Sequence, residues 1–164
     1  MTATERQHLY ALLKGFKVAI LVTRAGTGGM HARPLAVAEV PADGEILFAT
    51  STASAKVAEI AAAADVLVTF QGQSHCLCLS GRARVLHDRA RIRQLWSEAW
   101  RIWYPGGSDD PNLCLIAVEP SEGEYWDSAG LKGLKYLFRG AKAYLSGERL
   151  KTDDAHEHAK VDLT

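Results

Sequence analysis

The chain has few cysteines, few prolines and no excess of either charge, and each shortage excludes a class of protein. Its 164 residues include three cysteines and five prolines, and 19 Lys and Arg balance 19 Asp and Glu. Three cysteines provide no disulfide framework, and a balanced charge provides no basic surface for nucleic acid or an anionic membrane. No apolar run approaches the roughly 20 residues of a membrane-spanning helix. We therefore expect no nucleic-acid and no membrane partner.

The first residues, MTATERQHLY, also lack the basic and apolar regions of an export signal. Hydrophobic residues make up 48% of the chain and charged residues 23%, which is typical of a globular protein with one ordinary core. The sequence therefore predicts a reduced, cytoplasmic protein.

The order of apolar segments favours an antiparallel β-barrel with flanking helices over a parallel sheet. Short apolar runs separated by Gly, Pro and Asp predict strands, and most connections are too short for a crossover helix. Closure into a barrel removes exposed sheet edges. The predicted strands span residues 17–23, 30–40, 45–50, 65–71, 76–86, 113–120 and 123–127.

Apolar residues at helical spacing predict an opening helix from a T-x-x-Q capping box, and further helices over 53–64 and 88–103. A Leu-rich stripe predicts a C-terminal helix that stops near Gly147, followed by a polar, loosely held tail. We therefore divide the chain into a barrel domain, residues 1–128, and a C-terminal helix with polar tail, residues 129–164, which packs on the barrel or extends from it.

The segment FATSTASAK, residues 48–56, crowds hydroxyl side chains where a strand ends and a helix begins. One interpretation is N-capping, in which Ser or Thr oxygens accept hydrogen bonds from the first helical N–H groups. The other is an anion site, because the same N–H groups, hydroxyls and a lysine suit a phosphate. On either interpretation, Lys56 is expected at an exposed helix start.

Arg33 and Pro34 interrupt a predicted strand, because proline cannot donate to a β-ladder and marks an edge, a bulge or a gap. Arg33 is then either a surface arginine or a side chain directed at a ligand. The loop that follows Trp103, YPGGSDDPN, is either a plain connector or a dimer- or site-lining segment.

Other candidate motifs are weak. GTGG, residues 26–29, lacks the spacing of a dinucleotide-binding loop and predicts a hairpin turn. Cys76, Cys78 and Cys114 lack the spacing of a four-ligand zinc site and are expected to be small buried hydrophobes. We therefore predict no metal site, and no catalytic residue can be singled out.

Five segments, in this order and spacing, resemble the FMN-binding split barrels of the pyridoxamine 5'-phosphate oxidase-like family, especially its bacterial general stress protein branch. They are MHARPLA, FATSTASAK, LSGRARVL, WYPGGSDDPNLCLI and VEPSEGEYWD. The closing HEHAKVDL is similar to the end of that branch, so the resemblance covers nearly the whole chain.

The resemblance implies a six-stranded antiparallel split β-barrel, mainly β with flanking helices, that forms a homodimer with FMN in clefts at the interface. It carries the family's phosphate-binding pattern onto Arg33, Thr50, Ser54 and Lys56. The other positions that match the cofactor site are Pro34, Leu35, Ala49, Ser51, Cys76 and Trp126, of which Trp126 matches an aromatic contact to the flavin.

Two departures from the family pattern bear on function. Many relatives have S-R-K where this chain has Ser54-Ala55-Lys56, and one lost charge-assisted hydrogen bond is worth about 1.5–3 kcal/mol. True pyridoxine phosphate oxidases have an Arg and a His shortly after the tryptophan, whereas DSAGLKG follows here. We therefore do not expect oxidation of pyridoxamine phosphate.

Three functional hypotheses remain. The first is an FMN-dependent oxidoreductase whose flavin is reduced by NAD(P)H or an unknown donor, with the chemistry supplied by the cofactor. The alternative is a non-catalytic stress protein that stores or senses flavin. The third is a split barrel that has lost its flavin and serves as a dimeric interaction module.

Overall fold

The computed structural model describes residues 3–127 and 158–164 of the chain. These residues form seven strands, three α-helices and two 3₁₀ helices, Glu98–Ile102 and Gly107–Asp109. The strands are β1 (Val18–Arg24), β2 (Met30–Glu39), β3 (Ile46–Ser51), β4 (Asp65–Gln71), β5 (His75–Leu86), β6 (Leu113–Asp127) and β7 (His158–Asp162). The α-helices are α1 (Ala3–Leu13), α2 (Ala55–Ala62) and α3 (Arg89–Leu95).

Six of the strands close into an antiparallel barrel, which confirms the predicted fold class. Their order is β3-β2-β1-β4-β5-β6, and β3 also pairs with β6 along its whole length. Every pairing is antiparallel, in agreement with the short connections in the sequence. No helix in the described part of the chain is both long and apolar enough to cross a bilayer.

Strand β3 is buried on both faces, because it separates two clusters of apolar side chains. Ile46 and Phe48 belong to the main core inside the barrel. Leu47 and Ala49 belong to a smaller cluster that also contains Ile92 of α3. The short helices after β5 therefore cover the outside of the barrel at the end of β3, which is the part that carries the candidate site.

The predicted helix over residues 88–103 is wrong. Helix α3 ends at Leu95, and both Trp96 and Ser97 have extended ψ angles, 131° and 134°. The Ser97 hydroxyl accepts a hydrogen bond from the Ala99 N–H and so begins the 3₁₀ helix. A serine whose side chain binds a backbone N–H favours a helix start over a helix interior. The apolar spacing that runs through the tryptophans suggests one continuous helix and so hides this local preference of Ser97.

The predicted break between strands 113–120 and 123–127 is also wrong, because β6 runs unbroken through both. The strand instead carries a bulge at Ser121, because Glu122 pairs with Ser80 of β5 and Pro120 pairs with the next residue, Gly81. A Cβ on Gly81 would lie 2.2 Å from the Glu119 carbonyl oxygen, so only glycine allows this approach. Pro120, which has no N–H to donate, faces the shift.

The last residues are not a loosely held tail, because residues 158–162 form β7 and pair with residues 122–126 of β6. Val161 and Leu163 are almost fully buried, and they alternate with exposed polar residues as in any half-buried strand. The predicted C-terminal helix and the rest of the segment 128–157 lie outside the described residues.

Candidate functional site

A cavity of about 470 Å³, here called the Lys56 cavity, opens where β3 ends and α2 begins. Its walls come from β1, β2, β3, the start of α2 and the aromatic segment after α3. The lining residues are Val18, Pro34, Leu35, Ala36, Ala49, Thr50, Ser51, Ser54, Lys56, Trp100, Trp103 and Tyr104. Its volume lies within the usual range for small-molecule and cofactor sites.

Lys56 is buried, with 9% of its surface exposed, so the expectation of an exposed side chain at the helix start is wrong. Its Nζ donates to Thr50 Oγ1 at 3.0 Å and to Ser54 Oγ at 2.5 Å. Burial lowers the pKa of Lys56, and the nearby positive charge of Arg33 lowers this pKa further. A negative charge beside the ammonium would therefore stabilise its protonated form.

The hydroxyl of Ser54 does not cap α2. Ser54 occupies the N-cap position, but its side chain makes no capping hydrogen bond and accepts one from Lys56 instead. Ser51 Oγ accepts from the Ala53 N–H, within the turn before the helix. The capping interpretation therefore does not account for Ser54, and its hydroxyl is directed to the lysine in the cavity.

Four more of the predicted cofactor-site residues line the same cavity, namely Pro34, Leu35, Ala49 and Ser51. Leu35 and Ala49 are buried, and Ala36, the residue after Leu35, pairs with Ala49 across β2 and β3. The backbone pairing of these two strands thus brings residues 34–36 and 49–51 to one wall.

Arg33 does not line the cavity, unlike the other residues of the predicted phosphate pattern. Its Nη2 lies 2.5 Å from Glu59 Oε2 of α2, and its Nη1 donates to Thr23 Oγ1 at 2.7 Å. The Arg33 side chain is 22% exposed and Glu59 is 10% exposed. The guanidinium is therefore bound to a carboxylate that does not line the cavity.

The Glu59 carboxylate also accepts hydrogen bonds from the Thr23 hydroxyl at 2.6 Å and pairs with His31 Nδ1 at 2.7 Å. The hydrogen bond from Thr23, followed by those from His31 and the charge of Arg33, lowers the pKa of Glu59 to about 2. Glu59 is therefore an anion throughout the physiological pH range. Local capping and turn patterns do not indicate this cluster, because its members come from β1, β2 and α2.

Cys76 and Trp126 do not join this group within the chain. They pair with each other on β5 and β6, and Trp126 also stacks on His158 of β7 with ring centroids 5.0 Å apart. Trp126 lies eleven residues along β6 from Leu115, the partner of Ala49. Eleven residues of extended strand span up to about 36 Å.

Sequence reasoning omitted five lining residues from the candidate site, which are Val18, Ala36, Trp100, Trp103 and Tyr104. Tyr104 begins the segment YPGGSDDPN, and Trp100 and Trp103 come from the 3₁₀ helix just before it and from the residue that caps it. Burial, and then the neighbouring Cys114 and Asp110, raise the pKa of Tyr104 to about 12. Tyr104 therefore stays protonated and can donate a hydrogen bond, and Lys56 and Tyr104 are the ionisable groups that line this cavity.

A second cavity of about 510 Å³, here called the acidic cavity, lies between β4, β5, β6 and β7. Its walls carry Glu122, Glu124, Asp162 and a single cation, Lys160. Three carboxylates around one exposed lysine make it a poor site for an anion. Among the residues that the structure describes, no cluster of His, Cys, Asp and Glu is arranged to hold a metal ion.

The chain matches the family model described as pyridoxamine 5'-phosphate oxidase like over residues 4–151. No curated protein matches it significantly.

Solved structures of similar fold include a candidate general stress protein 26 from Jannaschia, with 23% identity, 99% of each chain covered and a TM-score of 0.75. The general stress FMN/FAD binding protein of Xanthomonas citri is 26% identical over 79% of this chain and 92% of that one, with a TM-score of 0.68. A pyridoxamine 5'-phosphate oxidase-related, FMN binding protein of Nostoc punctiforme is 17% identical over 98% and 94%, with a TM-score of 0.61.

Proposed function

Since the chain belongs to the pyridoxamine 5'-phosphate oxidase-like family, we propose that it binds FMN, with the phosphate held in the Lys56 cavity. The observation that carries the proposal is the buried ammonium of Lys56, whose hydrogen-bond partners in the structure are two hydroxyls. The FMN/FAD binding of the Xanthomonas citri protein and the FMN binding of the Nostoc protein support the same ligand class.

The donors of the Lys56 cavity suit a phosphate monoester. The Lys56 ammonium supplies charge, and the hydroxyls of Thr50 and Ser54 already lie within hydrogen-bond distance of it. The N-terminus of α2 adds partial positive charge and backbone N–H groups, because the Ser54 side chain does not cap it. A dianion would form charge-assisted hydrogen bonds here and would offset the cost of burying the ammonium.

The apolar walls suit the ring system of a flavin. Leu35, Ala36 and Ala49 contribute aliphatic surface, and Trp100, Trp103 and Tyr104 contribute aromatic surface. Aromatic side chains provide large, flat contact surfaces for a conjugated ring. A bound flavin would extend from the phosphate donors along these walls.

We place the flavin between two copies of the chain. Val18 and Trp103, which line the cavity, are 54% and 66% exposed, and Ile102 beside them is 76% exposed. Exposed apolar residues around a cleft are typical of an interaction surface. A two-fold related partner would cover them and would bring its own Trp126 and Cys76 to the flavin, although these lie far from the cavity within one chain.

The homodimer is tested by light scattering of the wild type and of an Ile102→Asp variant. Ile102 does not line the cavity, so the substitution changes the surface alone. We expect a dimer for the wild type and a monomer with weaker FMN binding for the variant. A wild-type monomer that binds FMN would contradict the shared site.

As an activity we propose a cytoplasmic FMN-dependent oxidoreductase, in which the bound flavin accepts electrons from NAD(P)H or another donor. The chain itself would bind, orient and partly cover the cofactor. A second candidate is flavin storage or sensing without turnover. It is supported by the described lining of the Lys56 cavity, which contains no His, Cys, Asp or Glu side chain and whose Tyr104 has a pKa of about 12.

The test begins with the visible absorption spectrum of the purified protein and titrations with FMN and riboflavin, which lacks the phosphate. We expect FMN to bind at least tenfold more tightly, and equal affinities would contradict the phosphate site. Anaerobic addition of NADH or NADPH, followed by steady-state turnover with an electron acceptor, then separates the oxidoreductase from the storage protein.

A further inference from the structure

Glu59 binds side chains from two strands on one carboxylate. Oε2 accepts from Thr23 Oγ1 and from Arg33 Nη2, while Oε1 pairs with His31 Nδ1. Thr23 is fully buried, the Glu59 side chain is 10% exposed, and Glu59 is close enough to Lys56 to act on its charge. The FMN site described above does not use this cluster.

The cluster changes the charge that a phosphate would meet. Arg33 and Lys56 are close enough for the Arg33 charge to lower the pKa of Lys56. Arg33, however, is paired with Glu59, and both of its terminal nitrogens already donate within the cluster. Of the two cations near the cavity, one is thus neutralised, and the net charge of Arg33, Lys56 and Glu59 is one.

We propose that Glu59 limits the phosphate affinity of the Lys56 cavity, because it holds Arg33 away from the bound anion and sets a negative charge behind it. This inference rests on the proposed function and deepens it. A site whose net charge is kept at one binds a phosphate dianion less tightly than a site with two cations. Such a flavin exchanges with the solution pool, which suits a protein that takes up and releases FMN.

A different role for Glu59 would be to orient Arg33 toward the phosphate. The geometry favours the first role, in which Glu59 holds Arg33 away from the phosphate. Arg33 lies outside the cavity lining, and its second terminal nitrogen donates to Thr23 in the same cluster. The two roles predict opposite effects when the charge of Glu59 is removed with its shape kept.

The first experiment is fluorescence titration of FMN and riboflavin into Glu59→Gln and the wild type. The amide keeps the size of the carboxylate and can still accept a hydrogen bond, but it carries no charge. We expect FMN to bind about tenfold more tightly, the effect of one charge-assisted hydrogen bond gained, with riboflavin unchanged. Weaker or equal FMN binding in this variant overturns the proposal.

A matched control is Glu45→Gln. Glu45 pairs with Arg84 through three hydrogen bonds in an exposed ion pair, and neither residue lines the Lys56 cavity. The same change in net charge is made there without any effect on Arg33. We expect wild-type affinity for FMN, and tightening equal to that of Glu59→Gln would show a general charge effect and would overturn the local one.

A second variant, Arg33→Gln with Glu59→Gln, keeps the test decisive if the single variant does not fold. It removes both charges of the pair and leaves polar partners for Thr23. We expect FMN affinity within about threefold of the wild type, because the pair contributes no net charge. A loss of tenfold or more would show that Arg33 itself binds the phosphate and would overturn the proposal.

Inorganic phosphate serves as a probe that does not depend on the flavin. We expect it to raise the melting temperature of Glu59→Gln more than that of the wild type. If the wild type binds phosphate but not FMN, the proposed function fails and the role of Glu59 is still measured. If the wild type binds FMN and Glu59→Gln shows no gain for either ligand, the role of Glu59 alone fails.

Discussion

The Lys56 cavity and the acidic cavity are nearly equal in volume, about 470 and 510 Å³, but they differ in the charge they present. The first surrounds a buried ammonium with hydroxyls and aromatic rings. The second is lined by three carboxylates, of which Glu124 pairs with His158 and Asp162 accepts from Thr164. The carboxylates of the acidic cavity are thus partly satisfied by the chain itself, whereas the buried ammonium is not matched by a negative charge within its cavity.

This difference shows that size does not select a binding site on this barrel. A buried cation with a lowered pKa gains more from an anionic ligand than an exposed cation does, because water already stabilises the exposed one. The comparison can therefore be tested by changing the charge in each cavity separately.

The largest effect is expected for Lys56→Ala, which removes the buried ammonium. We expect the dissociation constant for FMN to rise roughly ten- to a hundredfold in a fluorescence titration, with little change for riboflavin. Lys160→Ala in the acidic cavity is the matched control, and its FMN affinity should stay within about twofold of the wild type. Equal losses in the two variants would remove the distinction between the cavities.

The next effect is expected for Ala55→Arg, which adds the arginine that many relatives have. Ala55 is exposed in the first turn of α2, and Arg is nearly as good a helix former as Ala. A guanidinium that reaches the phosphate should tighten FMN by roughly tenfold and leave riboflavin unchanged. Weaker FMN binding would contradict this expectation and would mean that another side chain already fills the space that the new guanidinium needs.

A smaller effect is expected from alkaline pH. The pKa of Lys56 lies below the ordinary value of 10.5, so its charge is lost earlier than that of an exposed lysine. We expect FMN affinity to fall as the pH rises toward 10.5, and to begin falling at a lower pH than an exposed lysine would give. Tyr104, with a pKa of about 12, keeps its proton in this range. Lys56→Ala should abolish this pH dependence. If the FMN affinity of this variant still falls at alkaline pH, the pH dependence belongs to another group.

The smallest effect concerns the stability of the ligand-free protein in acid. Glu59 has a pKa of about 2 in the folded chain against an ordinary 4.5, so its contribution is complete above about pH 4.5 and is lost as the pH falls toward 2. Above pH 4.5 the melting temperature of the wild type should be higher than that of Glu59→Gln. The two melting temperatures should converge as the pH falls toward 2. A constant difference across this range would show that Glu59 does not act through its charge.

The sequence predicts those features that depend on neighbouring residues. Alternation and turn residues predict the barrel strands, and the hydroxyl cluster before Lys56 marks the cavity. Features that depend on distant residues are missed. Pro120 suggests a break, although β6 continues through a bulge at Ser121 that the close approach of Gly81 on the neighbouring strand allows. The pairing of Arg33 with Glu59 depends on where α2 packs on the barrel.

The strand at the end of the chain is missed for a related reason. Most of residues 148–164 are polar. The two buried residues of the last strand and its end, Val161 and Leu163, are too few to produce a periodic pattern. Their burial depends on β6, which is fixed by contacts elsewhere in the chain. The polar composition therefore suggests a solvated tail, whereas residues 158–162 are ordered because they pair with β6.

The pairing of β3 with β6 also determines when the cavity can form during folding. Thr50 pairs with Cys114, so the wall that carries the phosphate donors is completed by a strand more than sixty residues further along the chain. Such non-local pairing is slow to form, because a long loop must be closed before the contact stabilises it. While β6 is still being synthesised, the segment that holds Thr50 and Lys56 has no completed wall beside it. A ligand of the Lys56 cavity would therefore bind to the closed barrel and stabilise the folded state, and it would not act as a template for early folding.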